Sequence, residues 1–133
     1  MLFCGLSILK RQAGKQFDVY LCEGDMVVIQ TKNNSTIDVM DIKEMLSLID
    51  LFNLESKSKL LSIAGAFSEL TSEAQKFMRT EEANVNRHIA EAIVVNSLAQ
   101  RIIGNMYLKI VSQNRPSKLF TVATKAIEWL KAY

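Results

Sequence analysis

The feature of the sequence that most restricts the fold is a change of hydrophobic periodicity at residue 98. The segment Glu91 to Ser97 contains a continuous apolar run, Ala92 to Val95, which is typical of a β-strand covered on both faces, as in a parallel sheet. From Leu98 to Val111, apolar pairs recur every four residues, which predicts an amphipathic helix. A buried strand followed at once by a helix is half of a crossover unit, so this stretch predicts an α/β fold.

The rest of the chain continues this alternation. Gly24 separates two β-rich runs, which predicts an antiparallel hairpin. The order β-β-α-β-α-β-α-β-α predicts a single mixed, mostly parallel sheet of about five strands with about four helices. We expect one domain over residues 1–133, with residues 1–16 as an N-terminal extension or an extra strand. The other strands are predicted at 17–21, 26–30, 59–64 and 118–122, and the other helices at 38–52, after the turn at Gly65, and from about 123.

Charge and cysteine content restrict the class of function. The net charge is only +2 and no aromatic residues interleave the basic ones, so nucleic-acid binding is not expected. Cys4 and Cys22 lack the spacing of a metal site or a redox motif, and we interpret them as reduced thiols of a cytoplasmic protein. The apolar run at the start is too short to cross a bilayer and precedes its charges, unlike a secretory signal. We therefore expect a cytoplasmic location, no stable membrane insertion, and neither a metal nor a cofactor.

Two segments, "AEAIVVNSLAQRIIGNMYLKI" (Ala90 to Ile110) and "RPSKLFTVATKAIEWLKAY" (Arg115 to Tyr133), resemble small bacterial STAS-like proteins. The similarity is greatest to the SpoIIAA-like branch, which is named for the sporulation anti-sigma-factor antagonist, and it covers roughly Phe17 to Tyr133. It implies a non-enzymatic regulatory module that binds a protein partner. The branch is also similar in architecture to lipid-binding CRAL-TRIO domains. This implies an alternative function, a carrier or sensor of a small apolar ligand.

The segment "LLSIAGAFSELTSEAQKF" (Leu60 to Phe77) corresponds to the place where some STAS domains are phosphorylated at the start of the second helix. Ser68, Thr71 and Ser72 are the candidate phospho-acceptors. The family's switch has an aspartate directly before the serine and a glycine soon after, and this chain has neither. Hydroxyls there are also common N-caps: Ser72 with Gln75 fits a capping box, and Ser68 or Thr71 could cap the helix instead. We expect Ser68→Ala and Ser72→Ala to reduce stability rather than abolish regulation.

A rim of polar and basic residues is the other candidate binding site. In open α/β sheets, ligands gather beyond the carboxyl ends of the strands, and residues near 65 and 96 are expected at two such ends. The C-terminal third, 97–133, carries six basic residues and one acidic residue, which suits an anionic ligand or an acidic partner. The rim residues are Gly65, Asn96, Ser97, Arg101, Lys109, Arg115 and Lys118.

The remaining candidates have structural explanations. His88, the only histidine, lies near Glu82 and Glu91 in the sequence, so an acid–base pair or a ligand is one interpretation. We interpret it instead as a partly exposed helix residue, because no serine or cysteine is placed by the sequence to join it in catalysis. Gly104 interrupts the best helix, which predicts a close approach of a neighbouring element, with a ligand as the alternative. An apolar surplus beyond the needs of one core favours self-association as a homodimer. It comprises Met40, Leu48, Leu51, Met106, Tyr107 and Trp129.

Overall fold

The computed structural model describes residues 1–83, 87–112 and 114–133, and it has an α/β fold. Its strands are β1 (Leu2–Phe3), β2 (Leu6–Ala13), β3 (Phe17–Cys22), β4 (Met26–Thr31), β5 (Thr36–Ile37), β6 (Ser58–Ile63), β7 (Glu69–Leu70), β8 (His88–Val94) and β9 (Ser117–Phe120). The helices are α1 (Val39–Asp50), α2 (Ser72–Phe77), α3 (Leu98–Val111) and α4 (Ala123–Lys131).

The main sheet has seven strands in the order β1-β2-β3-β4-β6-β8-β9. The pairings from β1 to β4 are antiparallel, and those from β4 through β6 and β8 to β9 are parallel. The mixed α/β class and the N-terminal hairpin are therefore confirmed. The sheet has more strands than the expected five, and only half of its pairings are parallel, because residues 1–16 supply β1 and β2.

The helices lie on both faces of the sheet. Alternate residues of β8 point to opposite faces: Ala90, Ala92 and Val94 pack in one core with α4. On the other face a second core joins the hairpin strands to α1 through Ile49 and Phe52. On the side of the sheet that faces α3, Val95 is buried and Ile93 is half-buried, so the apolar run Ala92 to Val95 is covered at least in part on both faces.

A second, two-stranded parallel sheet pairs β5 with β7, and the sequence pattern did not predict it. It lies immediately before α1 and α2 and places the starts of these helices side by side. Asp38 caps α1 in a capping box with Asp41. Thr71 caps α2, and its Oγ1 accepts a hydrogen bond from Ala74 N at 3.1 Å. Of the predicted caps, the alternative Thr71 is therefore the observed one, and the capping box of Ser72 with Gln75 is wrong, because Ser72 is the first residue inside the helix.

Two glycines permit close approach between elements. A Cβ at Gly65 would lie 2.6 Å from Thr31 O and closer still to the carbonyl of Lys32, so the chain at the end of β6 needs glycine. A Cβ at Gly104 would lie 2.6 Å from Leu119 Cδ1, so α3 lies close against β9. The predicted packing role of Gly104 therefore agrees with its position.

Candidate functional site

A hollow of about 190 Å³ lies between helices α1 and α3 and the sheet; we call it the large hollow. Its walls are mainly apolar. They include Ile29, Leu60 and Ile93 of the sheet, Ile42 and Met45 of α1, and Ile103 of α3. An apolar protein cavity of ~150 Å³ is large enough to bind benzene. The large hollow therefore has room for a small apolar molecule.

The large hollow ends at a buried polar cluster of Glu91, Tyr107 and Arg115. Arg115 Nη2 donates to Glu91 Oε1 at 2.9 Å and to Tyr107 Oη at 3.3 Å, and Tyr107 Oη donates to Glu91 Oε1 at 3.2 Å. The side chains of Arg115 and Glu91 are only 6% and 2% exposed. Two opposite charges this deeply buried are stable only as a pair.

Burial and the neighbouring charges set the protonation states of Tyr107 and Arg115. Burial raises the pKa of Tyr107 well above its ordinary value, and the Glu91 carboxylate adds to this effect. Burial alone would lower the pKa of Arg115, but attraction to Glu91 outweighs it and raises that pKa. Tyr107 is therefore neutral and Arg115 is charged at neutral pH. One donor is left over, because Arg115 Nε has no hydrogen-bond acceptor within the described part of the chain.

A smaller hollow of about 50 Å³, which we call the small hollow, shares Glu91 and Tyr107 with the large one. Arg87 and Arg115 both line the small hollow. Arg87 Nε donates to Asp50 Oδ1 at 3.1 Å, whereas the buried Nη1 of Arg87 has no acceptor among residues 1–83, 87–112 and 114–133. Both arginines that carry a donor without an acceptor therefore line one small space.

His88 also lines the small hollow, and its predicted place on an exposed helix is wrong. It is the first residue of β8, it is 6% exposed, and its Nδ1 is hydrogen-bonded to Ser58 Oγ at 2.9 Å. No local pattern indicates Ser58, which comes thirty residues earlier and reaches His88 because β6 and β8 pair in parallel. Burial lowers the pKa of His88 to about 3, and Arg115 and Arg87 contribute to the shift.

At the carboxyl ends of β6 and β8 the structure brings together Gly65, Ser68, Asn96 and Ser97. Gln100 connects them: its Nε2 donates to Gly65 O at 3.0 Å and to Ser68 O at 3.2 Å, and its Oε1 accepts from Asn96 N at 2.9 Å. The Ser97 hydroxyl accepts from Gln100 N at 3.1 Å, which makes Ser97 the N-cap of α3. Sequence reasoning missed Gln100, although a glutamine in the first turn after a capping serine was the available signal.

The basic residues of the predicted rim do not gather at that edge. Arg101 lies exposed in the first turns of α3, whereas Lys109 lies in its last turn, at the opposite end. Lys118 lies on β9 with its Nζ 5.5 Å from the centre of the Phe120 ring. Arg115 is buried against Glu91 rather than placed on a rim. The pairing of Glu91 with Arg115 was also missed, although an acidic residue within a buried strand was a usable signal.

The three candidate phospho-acceptors have different surroundings. Ser68 Oγ donates to Gly65 O at 2.8 Å and lies beside Gln100. Thr71 is occupied as the cap of α2, and Ser72 is exposed in the first turn. Phosphorylation of any of them stays a prediction.

An exposed apolar stripe runs along α3, and we call it the α3 stripe. It consists of Leu98, Ile102 and Met106, which are 72%, 54% and 43% exposed. Their spacing of four residues places them on one face of the helix. Among the other members of the predicted surplus, Met40 and Leu51 are exposed, whereas Leu48 and Trp129 pack against the two cores and Tyr107 joins the polar cluster.

Two kinds of site have no support in the described residues. No three histidine, cysteine, aspartate or glutamate side chains there form a group that could hold a metal ion. None of the described helices has the length and apolar character needed to span a membrane.

Comparison with known proteins identifies a family and a fold. The family model described as "Domain of unknown function (DUF7793)" matches residues 20–133, and the chain belongs to this family. Among solved structures, the chain is similar to an uncharacterized protein of the DUF3478 family from Shewanella loihica PV-4, which has a SpoIIAA-like fold. The similarity has a TM-score of 0.55 and 11% identity, and it covers 94% of each chain. The resemblance to the SpoIIAA-like fold is thereby confirmed. No curated protein matches the chain.

Proposed function

We propose that this member of the DUF7793 family is a non-enzymatic, STAS-like interaction module that binds a protein partner through α3. The observation that supports the proposal is the α3 stripe, an apolar face that the fold leaves uncovered. Contiguous exposed apolar side chains on a folded protein mark interaction surfaces. We expect the partner to meet the module in the cytoplasm, as the sequence indicates.

The charges beside the α3 stripe indicate the chemistry of the partner. Helix α3 carries Arg101 and Lys109, both exposed, and no acidic residue. A partner segment with an apolar centre and an acidic rim would complement both features. A second copy of the chain fits this face less well, because a two-fold contact would bring the basic residues of two α3 helices together. The homodimer therefore stays a separate prediction, which sedimentation tests.

The chemistry of the buried residues gives no support to an enzyme. With a pKa of about 3, His88 is far too weak a base to activate Ser58 at neutral pH, since an effective general base has a pKa near the working pH. Ser58 is itself buried. We therefore interpret the Ser58–His88 hydrogen bond as a link between β6 and β8.

Site-specific photocrosslinking in the native host tests the interaction module. A photoreactive residue replaces Ile102 in one protein and Met40 in another. Met40 is a matched control because it is also an exposed apolar residue, 70% exposed, but lies on α1. We expect one discrete crosslinked protein from position 102 and none from position 40. Equal crosslinking from both positions, or none from position 102, would contradict the proposal.

The large hollow supports a second candidate function, a carrier or sensor of a small apolar ligand. Its apolar walls and its volume of about 190 Å³ are the specific observation in favour. This function is compatible with the first, since α3 forms one wall of the hollow and carries the stripe on its outer side. Binding of small hydrophobic probes, followed by NMR, is the direct test.

A further inference from the structure

The two hollows together suit a ligand with an apolar body and one polar end. The large hollow of about 190 Å³ is mainly apolar, and the small hollow of about 50 Å³ adjoins it at Glu91 and Tyr107. Because a cavity of ~150 Å³ accepts benzene, a single ring fits the large hollow. A polar group attached to that ring would then face the small hollow.

Two arginine N–H groups at the small hollow have no hydrogen-bond acceptor within the described part of the chain. Arg115 Nε and Arg87 Nη1 are both buried without an acceptor in the described residues, and both arginines line this hollow. The Arg115 side chain is 94% buried, since only 6% of its surface is exposed. A buried N–H group without a partner destabilises a protein. An oxygen atom in the small hollow would supply the missing acceptor.

The charges around the small hollow favour a neutral oxygen over a carboxylate. Arg115 is paired with Glu91 and Arg87 with Asp50, so each positive charge already has its counter-charge. A ligand carboxylate would add an uncompensated negative charge close to the buried Glu91, which is unfavourable. A carbonyl oxygen has two lone pairs and no net charge. It could accept from both arginines without disturbing either ion pair.

We propose that the large and small hollows together bind one small apolar molecule that ends in a neutral carbonyl oxygen, as an aryl ketone does. The ring occupies the large hollow between α1 and α3, and the oxygen accepts from Arg115 Nε and Arg87 Nη1. This inference rests on the second proposed function and adds the chemical class of the ligand.

Three probes of nearly the same shape test the ligand class. They are acetophenone, α-methylstyrene, in which a CH₂ group replaces the ketone oxygen, and benzoate, which replaces the ketone by a carboxylate. Dissociation constants are measured by NMR titration of the full-length protein. We expect acetophenone to bind about tenfold more tightly than α-methylstyrene, because it gains hydrogen bonds of ordinary strength. Benzoate is also expected to bind more weakly than acetophenone.

Two variants of adjacent residues on α3 test the location. Ile103 lines the large hollow, and Ile102 faces outward in the α3 stripe. Ile103→Phe is expected to weaken acetophenone binding at least about tenfold by filling the hollow, whereas Ile102→Phe should leave it unchanged. Equal effects of the two substitutions would overturn the location. Unfolding curves confirm that both variants are folded.

Replacement of the donors tests the head group. Arg115→Lys keeps a positive charge beside Glu91 but removes Nε. Because Arg87 Nη1 remains as the second donor, the advantage of acetophenone over α-methylstyrene should fall from about tenfold to about threefold. If this variant does not fold, Arg87→Lys tests the other donor with the same expected result. An advantage that persists in the folded variant would overturn the head-group assignment.

The outcomes separate this inference from the function on which it rests. If acetophenone and α-methylstyrene bind wild-type protein equally, the carrier or sensor function stands and the carbonyl preference is overturned. If benzoate binds most tightly, the preference for a neutral oxygen is overturned. If none of the three probes binds at millimolar concentration, both the inference and the carrier or sensor function are contradicted.

Discussion

Acidification should destabilise the protein because His88 is buried in its neutral form. An exposed histidine, whose pKa is the same in the folded and unfolded chain, would have no such effect. The imidazole is 6% exposed, and its pKa in the folded protein is about 3, against 6.5 when it is unperturbed. Between these two pH values the unfolded chain binds a proton at His88 that the folded chain does not. Stability therefore falls as the pH falls through this window.

The size of the effect follows from the same two pKa values. At pH 7.5 the unfolded imidazole is almost entirely neutral, and at pH 5.0 it is almost entirely charged. From pH 7.5 to pH 5.0, the free energy of unfolding should therefore fall by about 2 kcal/mol through His88 alone. That is a large share of the ~5–15 kcal/mol that stabilises a typical domain.

The assay is urea unfolding at both pH values, followed by the fluorescence of Trp129, the only tryptophan. Carboxylates are also protonated as the pH falls. The His88→Asn variant retains every carboxylate of the wild type and is therefore the control. The wild type should lose about 2 kcal/mol more than His88→Asn between pH 7.5 and pH 5.0. Because there is one histidine, its ring resonances in the folded protein should also stay constant over this range. Equal losses in the two proteins, or an imidazole that titrates near 6.5, would refute the burial of a neutral His88.

Three further predictions concern stability. Gly65→Ala should destabilise the protein by about 1–3 kcal/mol, because its Cβ would overlap the backbone at the end of β4; urea unfolding with no measurable loss would contradict the close approach. Glu91→Gln should lower the free energy of unfolding by about 3–5 kcal/mol, because it leaves the Arg115 charge buried without its counter-charge. Glu91→Gln combined with Arg115→Met should recover part of this loss, and a Glu91→Gln protein as stable as wild type would exclude a buried ion pair. Thr71→Ala should lower the free energy of unfolding by about 1 kcal/mol, because it removes the N-cap of α2, and Ser72→Ala should lower it clearly less. The reverse order in denaturant unfolding would indicate that Ser72 is the cap.

The sequence predicted those parts of the fold that depend on long, regular apolar patterns. Helix α3 begins and ends at Leu98 and Val111, as its four-residue period predicted. The strand before it was predicted three residues too late, since β8 spans His88–Val94. The error arose because Glu91 looks like the polar boundary of a strand, whereas in the fold it lies inside one, paired with Arg115.

Features that depend on long-range contacts could not be read from local patterns. Strands β5 and β7 have two residues each, which is too short to give a periodicity. Arg115 was predicted on the rim because no residue near it in the sequence indicates its hydrogen bond to Glu91, which is 24 residues away. Ser58 and His88 meet only because β6 and β8 pair in parallel. Whether a polar side chain is buried depends on tertiary contacts. The buried polar residues of the candidate site are therefore the ones that the sequence alone predicts least well.

The most direct test of the central claim is the affinity of the crosslinked partner for three forms of the protein: wild type, Ile102→Lys and Met40→Lys. A lysine at position 102 interrupts the α3 stripe and adds a charge to a helix that is already basic, whereas position 40 is also exposed but lies on α1. The account predicts a loss of affinity of at least about tenfold for Ile102→Lys and none for Met40→Lys. Unchanged binding by a folded Ile102→Lys protein would contradict the assignment of α3 as the docking face.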